Sequence, residues 1–150
     1  MKKIITKSFL LLFFYLTVNC GFKVIDETEN SKFSIKEIQT SGNKRINFKI
    51  KNNLLAFSTK NNENNLRVNL VSKKTKNIKE KNIKNEITKY QIALNINVKF
   101  NLINDNEDYV VDIVSEGDYL VNDSYSTTLN NESKLIDDLV ENVSEKIIRK

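Results

Sequence analysis

Apolar and polar residues alternate strictly along residues 90–102, YQIALNINVKFNL, and this is the clearest pattern in the chain. Every second residue from Tyr90 to Leu102 is apolar. Alternation with a period of two predicts a β-strand that has one face buried and one face in water. The run is about twice as long as a typical strand. Its wet face carries mainly side-chain amides, together with one lysine: Gln91, Asn95, Asn97, Lys99 and Asn101.

Upstream, residues 32–40 and 66–71 contain shorter alternating runs that predict two further strands. The segment between them, residues 43–59, fits two patterns. Its apolar residues alternate as in a strand at Ile46, Phe48 and Ile50. They also recur at helical spacing at Ile46, Ile50, Leu54 and Phe57. A helix suits the length of the segment better, and we predict a helix that begins near a turn at residues 41–43.

Downstream, residues 104–108 form a polar turn, and a second alternating run follows it. This run predicts a strand that returns beside residues 90–102 and completes a long hairpin. Three of its apolar residues share one face: Tyr109, Val111 and Ile113. Gly117 then interrupts the alternation, which indicates either a β-bulge or a close approach of neighbouring atoms.

The C-terminal residues predict an amphipathic helix. Asn130 or Asn131 can cap it, and Glu132 would then lie near the positive end of the helix dipole. Six apolar residues form one stripe at helical spacing: Leu135, Ile136, Leu139, Val140, Val143 and Ile147. The opposite face is acidic, whereas a helix that lies on a membrane surface carries cations there. We therefore expect the helix to pack on the sheet.

The predicted fold class is an α/β two-layer sandwich in one domain. Its four-stranded, mostly antiparallel (mixed) sheet carries two helices on one face, in the order β-α-β-β-β-α. A sheet with one apolar face and two amphipathic helices can each bury their apolar surface only against the other. The chain length of 150 residues suits one such domain.

Residues 72–86, SKKTKNIKEKNIKNE, contain six lysines and two glutamates. This composition is typical of a solvated, mobile loop. The alternative is a basic surface that binds phosphorylated or acidic ligands. On charge alone, the candidate contacts for such a ligand are three lysines of this segment and one on the long strand: Lys73, Lys74, Lys76 and Lys99.

The N-terminal residues predict a secretory signal. Three early lysines precede an apolar run, residues 9–16, which is too short to span a bilayer, since a spanning helix needs about 20 residues. Cys20, the only cysteine, follows directly and predicts lipid attachment. We therefore expect residues 1–19 to be a lipoprotein signal peptide, residues 20–32 an acylated N-terminus and tether, and residues 33–150 a single domain. An ordinary signal peptide with an incidental cysteine is the alternative.

Composition limits the chemistry that the chain can perform. It contains no histidine, three glycines and one cysteine, and so lacks the commonest general base and the residues of a phosphate-binding loop. We expect no enzyme activity, no metal site and no cofactor beyond a covalent N-terminal lipid. The net charge is +5, but without the first 19 residues 21 basic side chains face 19 acidic ones. Bulk charge therefore gives little reason to expect nucleic-acid binding.

Four features of the chain resemble the LptE (RlpB) family of lipopolysaccharide-assembly lipoproteins. The first is the expected mature start, CGF, at residues 20–22. The second is the strand ITKYQIALNINVKFNLIN at residues 87–104, and the third is GDYLVNDSYSTTLNNE at residues 117–132. The fourth is the amphipathic C-terminal helix. The resemblance is one of pattern and covers most of the chain after residue 19.

The resemblance implies a function. LptE-like proteins sit inside the lumen of the LptD β-barrel, plug it and assist its assembly, and they bind lipopolysaccharide and help to insert it. The partners expected here are therefore an LptD-like outer-membrane barrel, lipopolysaccharide and the membrane that holds the lipid anchor. Gly21, in place of the aspartate that retains lipoproteins in the inner membrane, favours the periplasmic side of the outer membrane. Two alternatives remain: a free lipoprotein that binds ligands or acts as a chaperone through its lysine-rich segment, and a secreted protein without an anchor.

Overall fold

The structure is a computed structural model, and it describes residues 33–59, 64–105 and 107–150. The predicted signal peptide, the predicted tether and Cys20 lie outside the described residues. The described residues form six elements, and their order confirms the prediction β-α-β-β-β-α: β1 (Ser34–Gly42), α1 (Lys44–Ala56), β2 (Asn65–Lys81), β3 (Ile87–Leu102), β4 (Glu107–Leu120) and α2 (Tyr125–Ile148).

The four strands form one mixed sheet in the order β1-β2-β3-β4. Strands β1 and β2 are parallel, and the chain crosses between them through α1, as a parallel pair requires. The β2–β3 and β3–β4 pairs are antiparallel. Strands β2 and β3 contain 17 and 16 residues, so they form a ribbon much longer than an average strand pair.

Both helices lie on the same face of the sheet, which we call the covered face. Alternate residues of β2, β3 and β4 point towards them, as in the register row Leu70–Val98–Val111. The core consists of these side chains and the inner stripes of the two helices, and its fully buried members include Ile50, Val68, Ile92, Leu94, Val98 and Val143. The two-layer prediction is therefore confirmed.

Residues 44–56 are helical, as predicted, and burial explains why the helix prevails over the strand pattern. Ile46, Ile50 and Leu54 are buried on one side of α1, whereas Phe48 is largely exposed. Alternation would have required Phe48 to share the buried face. The side chain of Asn43 caps the helix by accepting a hydrogen bond from the Ile46 amide at 3.2 Å.

The junction between β1 and α1 depends on Gly42. Its φ angle is +92°, in the left-handed region that favours glycine. A Cβ atom there would lie 2.0 Å from the carbonyl oxygen of Ser72 on β2, so any side chain would collide with backbone. The amide of Asn43 donates to that same oxygen at 3.1 Å. Gly42 thus lets the chain leave the sheet edge without losing contact with β2.

The segment predicted to be a loop, residues 72–86, is mostly strand, and the loop prediction is wrong up to Lys81. Strand β2 continues through the lysines because β3 also begins earlier than predicted, at Ile87, and offers backbone partners up to the pair Lys81–Ile87. Only residues 82–86 form the turn. There the side-chain oxygen of Asn82 accepts from the amides of Lys84 and Glu86, each at 2.9 Å.

Helix α2 begins at Tyr125, several residues before the predicted start, and the predicted capping by Asn130 or Asn131 is wrong. Ser124 is the cap, because its hydroxyl accepts a hydrogen bond from the Thr127 amide. The first turns of α2 extend beyond the core, so they carry little of the apolar periodicity on which the prediction depended. No helix in residues 33–59, 64–105 and 107–150 is long and apolar enough to cross a membrane.

Gly117 marks a close approach rather than a bulge. The β3–β4 register runs without a shift from Lys89–Leu120 to Leu102–Glu107. A Cβ atom at Gly117 would lie 2.6 Å from Cδ1 of Leu135 on α2. The missing side chain allows α2 to lie close against β4.

Candidate functional site

The four lysines predicted as ligand contacts lie on two opposite faces of the sheet. Lys74 and Lys76 point to the covered face, since they continue the even-numbered series of buried β2 residues. Lys73 and Lys99 point to the other face, which we call the open face because none of the described helices covers it. The structure therefore does not bring the four lysines together.

On the covered face, Glu132 of α2 connects the helix to the sheet through three hydrogen bonds. Lys76 Nζ and Lys74 Nζ donate to its two carboxylate oxygens at 2.7 and 3.3 Å. The hydroxyl of Tyr119 on β4 donates to it at 2.8 Å. The side chain of Glu132 is 17% exposed, so these bonds form at the edge of the core. One carboxylate thus holds residues from β2, β4 and α2.

Two aromatic rings complete this group, which we call the Glu132 cluster: Lys74, Lys76, Tyr90, Tyr119 and Glu132. Tyr90 of β3 stacks on Tyr119, and the ring centroids are 5.7 Å apart. Lys76 Nζ lies 4.2 Å from the Tyr90 centroid and 5.2 Å from the Tyr119 centroid. A cation over an aromatic face gains electrostatic stabilisation, and the gain grows as the pair is desolvated.

The surroundings of Glu132 change its acidity. Burial alone would raise its pKa, but hydrogen bonds from Lys76, Tyr119 and Lys74 outweigh burial and lower the pKa to about 2. Burial likewise opposes the positive charge of Lys76, while the bond to Glu132 raises its pKa above the ordinary value. Burial is the main cause that raises the pKa of Tyr119. Glu132 and Lys76 therefore stay ionised near neutral pH, and their charges are directed towards each other.

The open face is polar, and most of its charges are paired across strands. Lys99 Nζ lies 2.7 Å from a carboxylate oxygen of Asp108, and Asn101 donates to the same side chain at 2.9 Å. Asn97 donates to Asp112 at 2.7 Å. At the other edge of the sheet, the Glu37 carboxylate accepts hydrogen bonds from Arg67 at 3.0 Å and from Gln39 at 2.7 Å. Three exposed valines interrupt the polar surface: Val71, Val110 and Val114.

Lys73 differs from the other three predicted contacts. It is exposed at a shallow depression of about 260 Å³ that it shares with Asn95, Asn97 and Asp112. Within the described part of the chain its ammonium group forms no ion pair. Lys74, Lys76 and Lys99 already bind carboxylates, so Lys73 is the predicted contact that remains available to an outside anion.

The hairpin between β2 and β3 forms a second basic region at the far end of the sheet. Lys81 Nζ donates to Asn85, and Lys84 lies in the exposed turn beside Ile83, whose side chain is fully exposed. Lys79 is 3.8 Å from Asp118, a weak pairing. This end therefore presents cations around an exposed apolar side chain.

The Glu132 cluster was not predicted from the sequence, although one pattern could have revealed two of its lysines. Lys74 and Lys76 have the same parity as Leu66, Val68 and Leu70, so a longer strand would have placed them on the covered face. Their partner Glu132 is 56 residues or more away, and no local pattern connects it to them. In the described ranges, no group of three or more His, Cys, Asp or Glu residues is placed to hold a metal ion.

Comparison with known proteins relates the fold to lipoproteins. No protein-family model matches the chain, and no curated protein matches it in sequence. The crystal structure of rare lipoprotein B from Shewanella oneidensis superposes with a TM-score of 0.57 and 11% identity, covering 75% of this chain and 91% of that one. The solution structure of lipoprotein B from Nitrosomonas europaea superposes with a TM-score of 0.61 and 13% sequence identity. This superposition covers 86% of this chain and 88% of that one. The chain therefore has the fold of rare lipoprotein B, RlpB, in agreement with the sequence resemblance.

Proposed function

We propose that this protein is a lipoprotein of the Gram-negative envelope that partners an LptD-like outer-membrane β-barrel and assists lipopolysaccharide assembly. The observation that carries the proposal is the open face of the sheet, a broad polar surface with paired charges, on a fold shared with rare lipoprotein B. In this proposal the open face lies against the inner wall of the barrel. The chain acts as a binding and structural partner and not as an enzyme.

The chemistry of the open face supports this placement. The interior wall of a large membrane barrel is polar, so a protein inside it needs a polar surface with few uncompensated charges. Cross-strand pairs such as Lys99–Asp108 and Asn97–Asp112 satisfy most of the ionic groups within the protein itself. The amides between them remain able to exchange hydrogen bonds with a polar wall.

The anchor would be a lipid on Cys20, on the periplasmic side of the outer membrane. Twelve residues lie between Cys20 and Phe33, where the described domain begins. An extended chain of that length reaches at most about 45 Å. Such a tether is long enough for the domain to enter a barrel beside its anchor. More than one acyl chain is needed for stable anchoring, and an N-terminal acylated and diacylglyceryl cysteine supplies it.

For lipopolysaccharide, the structure changes which lysines we propose as contacts. Lys74 and Lys76 are engaged with Glu132, and Lys99 is engaged with Asp108, so their roles are structural. Lys73 keeps its place as a contact for phosphate groups. Lys81 and Lys84 at the hairpin end join it, because their ammonium groups are exposed and no described carboxylate neutralises them.

The partnership is tested by co-purification from mild detergent with a matched pair of variants. Asn95→Arg places a large cation on the open face, and Asn52→Arg makes the same change on the exposed side of α1. We expect wild type and Asn52→Arg to bring down a large outer-membrane barrel and Asn95→Arg to lose it. Recovery of monomer alone from wild type would refute the partnership. Equal recovery with both variants would refute the placement of the open face against the barrel.

The anchor is tested separately by mass spectrometry of the mature N-terminus. The proposal requires cleavage before Cys20 and a mass increase that corresponds to an acylated, diacylglyceryl cysteine. A free thiol or an uncleaved leader would contradict it. Cys20→Ser is the matched variant, and we expect it to move the protein out of the membrane fraction.

The basic hairpin end favours a second candidate function. Exposed Ile83 between Lys81 and Lys84 is the kind of surface that a free lipoprotein could use to bind an acidic ligand or client. Ile83→Ser with Lys84→Gln distinguishes the two functions. If barrel recovery is unchanged but a ligand or client is lost, the hairpin end serves a function of its own.

A further inference from the structure

The two layers of the sandwich separate at one end and leave a cleft of about 430 Å³. The cleft lies where β1 and β4 begin, β3 ends, and α2 ends. Its walls are the covered face of the sheet on one side and the two helices on the other. The apolar side chains that define it come from all six described elements: Ile35, Leu54, Leu66, Phe100, Val111 and Ile147. Phe33, the first described residue, also lies on its rim.

The lining is almost entirely hydrocarbon. Leu54, Leu66 and Ile147 form the floor and belong to the buried core. Phe100 and Val111 are only partly buried, because nothing in the described ranges packs over them. The volume falls within the range of small-molecule sites, about 300–1,000 Å³, and such sites are mostly apolar with few polar groups.

The ionisable groups at the mouth of the cleft determine which charge a ligand's head group should carry. Tyr109 directs its hydroxyl to Glu107, so that group is already engaged. Lys150 is exposed at the rim, and its ammonium forms no ion pair with any described residue. No aspartate or glutamate is among the residues that line the cleft. Among the residues that line the cleft, Lys150 therefore has the one charged side chain beside a hydrocarbon interior, and the nearby carboxylate of Glu107 is bound by Tyr109.

We propose that this cleft binds a single acyl chain of an anionic amphiphile, with the chain between the layers and the head group beside Lys150. A flexible hydrocarbon chain can bury against the partly exposed Phe100 and Val111, whereas a polar or cationic solute would find no partner there. A carboxylate head would form a charge-assisted contact with Lys150. Among the residues that line the cleft, Val110 alone belongs to the open face, and the proposal does not depend on the partnership with a barrel.

The direct test uses ¹³C-labelled palmitate and the full chain after removal of bound lipid. We expect saturable binding of one palmitate per protein, with nuclear Overhauser contacts between its methylene protons and the methyl groups of Leu66 and Val111. Non-saturable binding, or contacts confined to another surface, would overturn the proposal. This measurement needs no variant, so it remains decisive even if a substituted cleft does not fold.

Val111→Trp fills the cleft, and Val114→Trp is its matched control. Both valines lie on β4, but Val111 faces the cleft and Val114 faces outward on the open face. We expect Val111→Trp to weaken palmitate binding at least about tenfold and Val114→Trp to leave it unchanged. Equal affinities for the two variants, with both shown to be folded by circular dichroism, would count against the site.

The head-group contact has its own test. Lys150→Met should weaken binding of palmitate by about fivefold or more and leave binding of methyl palmitate unchanged. Lys146→Met, an exposed change in the last turn of α2, is the control and should affect neither ligand. Loss of both ligands alike in Lys150→Met would refute the ionic contact. If palmitate binds only after deletion of residues 21–32, the cleft belongs to the chain's own N-terminal segment and the proposal fails.

Discussion

The covered and open faces of the sheet are built from alternate residues of the same strands, yet they differ in almost every property. Along β3, Leu94, Ile96 and Val98 are buried against the helices, while Asn95, Asn97 and Lys99 between them meet no described helix. The covered face holds the layers together. Among the described residues, the side chains of the open face exchange hydrogen bonds with one another, so this is the surface that we propose for a partner.

The difference between the faces does not persist to the far end of the sheet. There the covered face carries Lys74 and Lys76 in place of aliphatic residues, and Glu132 of α2 neutralises them. A cation that is partly removed from water is stabilised when it is paired and hydrogen-bonded, as these two lysines are. The position of a lysine on one face or the other, and not its charge alone, therefore determines whether its ammonium group is engaged within the protein or available to a ligand.

Truncation of neighbouring residues on β3 should give the largest contrast. Leu94 is fully buried on the covered face, and Asn95 is exposed on the open face. We expect Leu94→Ala to lower the free energy of unfolding by about 3 kcal/mol, because it leaves a cavity in a packed core. Asn95→Ala should change it by no more than about 0.5 kcal/mol. Urea unfolding followed by circular dichroism measures both, and similar losses would refute the two-face description.

Much of this architecture was predictable from the sequence, because the strongest patterns come from the covered face. Along residues 90–102 and the apolar stripe of α2, the residues that the periodicities indicated are buried or partly buried. The ambiguous helix, residues 44–56, was assigned from length, and its exposed Phe48 follows from the helical spacing. The spacing of apolar residues indicates which side chains are buried. Burial is the main stabilising contribution in the core, so the elements of the core are the ones that this spacing predicts.

The length of β2 and the Glu132 cluster were not predictable, since both depend on contacts between residues that are far apart in the sequence. The lysines of β2 look like a loop until β3 provides backbone partners for them. Glu132 looks like a residue near a helix start until α2 is seen to begin at Tyr125 and place it above Lys76. The candidate site was therefore chosen by charge, and the structure separated its members by face.

Removal of the charge at Glu132 should give the second largest decrease in the free energy of unfolding. Glu132→Gln keeps an acceptor oxygen for Tyr119 but leaves Lys76 without its anion. We expect a loss of about 2 kcal/mol in the free energy of unfolding at pH 7, since hydrogen bonds between charged groups are stronger than neutral ones. Urea unfolding measures it. Glu116→Gln, an exposed change on the open face, is the control and should have almost no effect.

The lowered pKa of Glu132 predicts that its contribution to the free energy of unfolding depends on pH. The pKa of Glu132 is about 2 in the folded protein against an ordinary value of 4.5. Because the folded-state pKa is the lower one, the stabilisation is complete above about pH 5 and is lost as the pH falls towards 2. The stability difference between wild type and Glu132→Gln should therefore shrink from pH 5 to pH 2. A difference that stays constant over this range would contradict the assignment.

The two tyrosines of β4 allow a smaller test of the cluster. Tyr119 donates to Glu132 at the edge of the core, and Tyr109 donates to Glu107 on the surface. Tyr119→Phe keeps the stacking on Tyr90 and removes only the hydroxyl, so we expect a loss of about 1 kcal/mol. Tyr109→Phe should leave stability unchanged within error. Thermal unfolding of both variants measures this, and a larger effect at Tyr109 would refute the role given to the cluster.

The smallest effect is expected on the open face, where Asn97 donates to Asp112 across the β3–β4 pair. Cross-strand pairs in contact with water contribute little, because both side chains bind water when separated. A double-mutant cycle with Asn97→Ala and Asp112→Ala should yield a coupling energy of about 0.5 kcal/mol. A coupling comparable to that between Lys76 and Glu132 would indicate that the open face also stabilises the fold. If binding of the barrel partner falls in these variants while stability hardly changes, the open face serves recognition and the covered face serves folding.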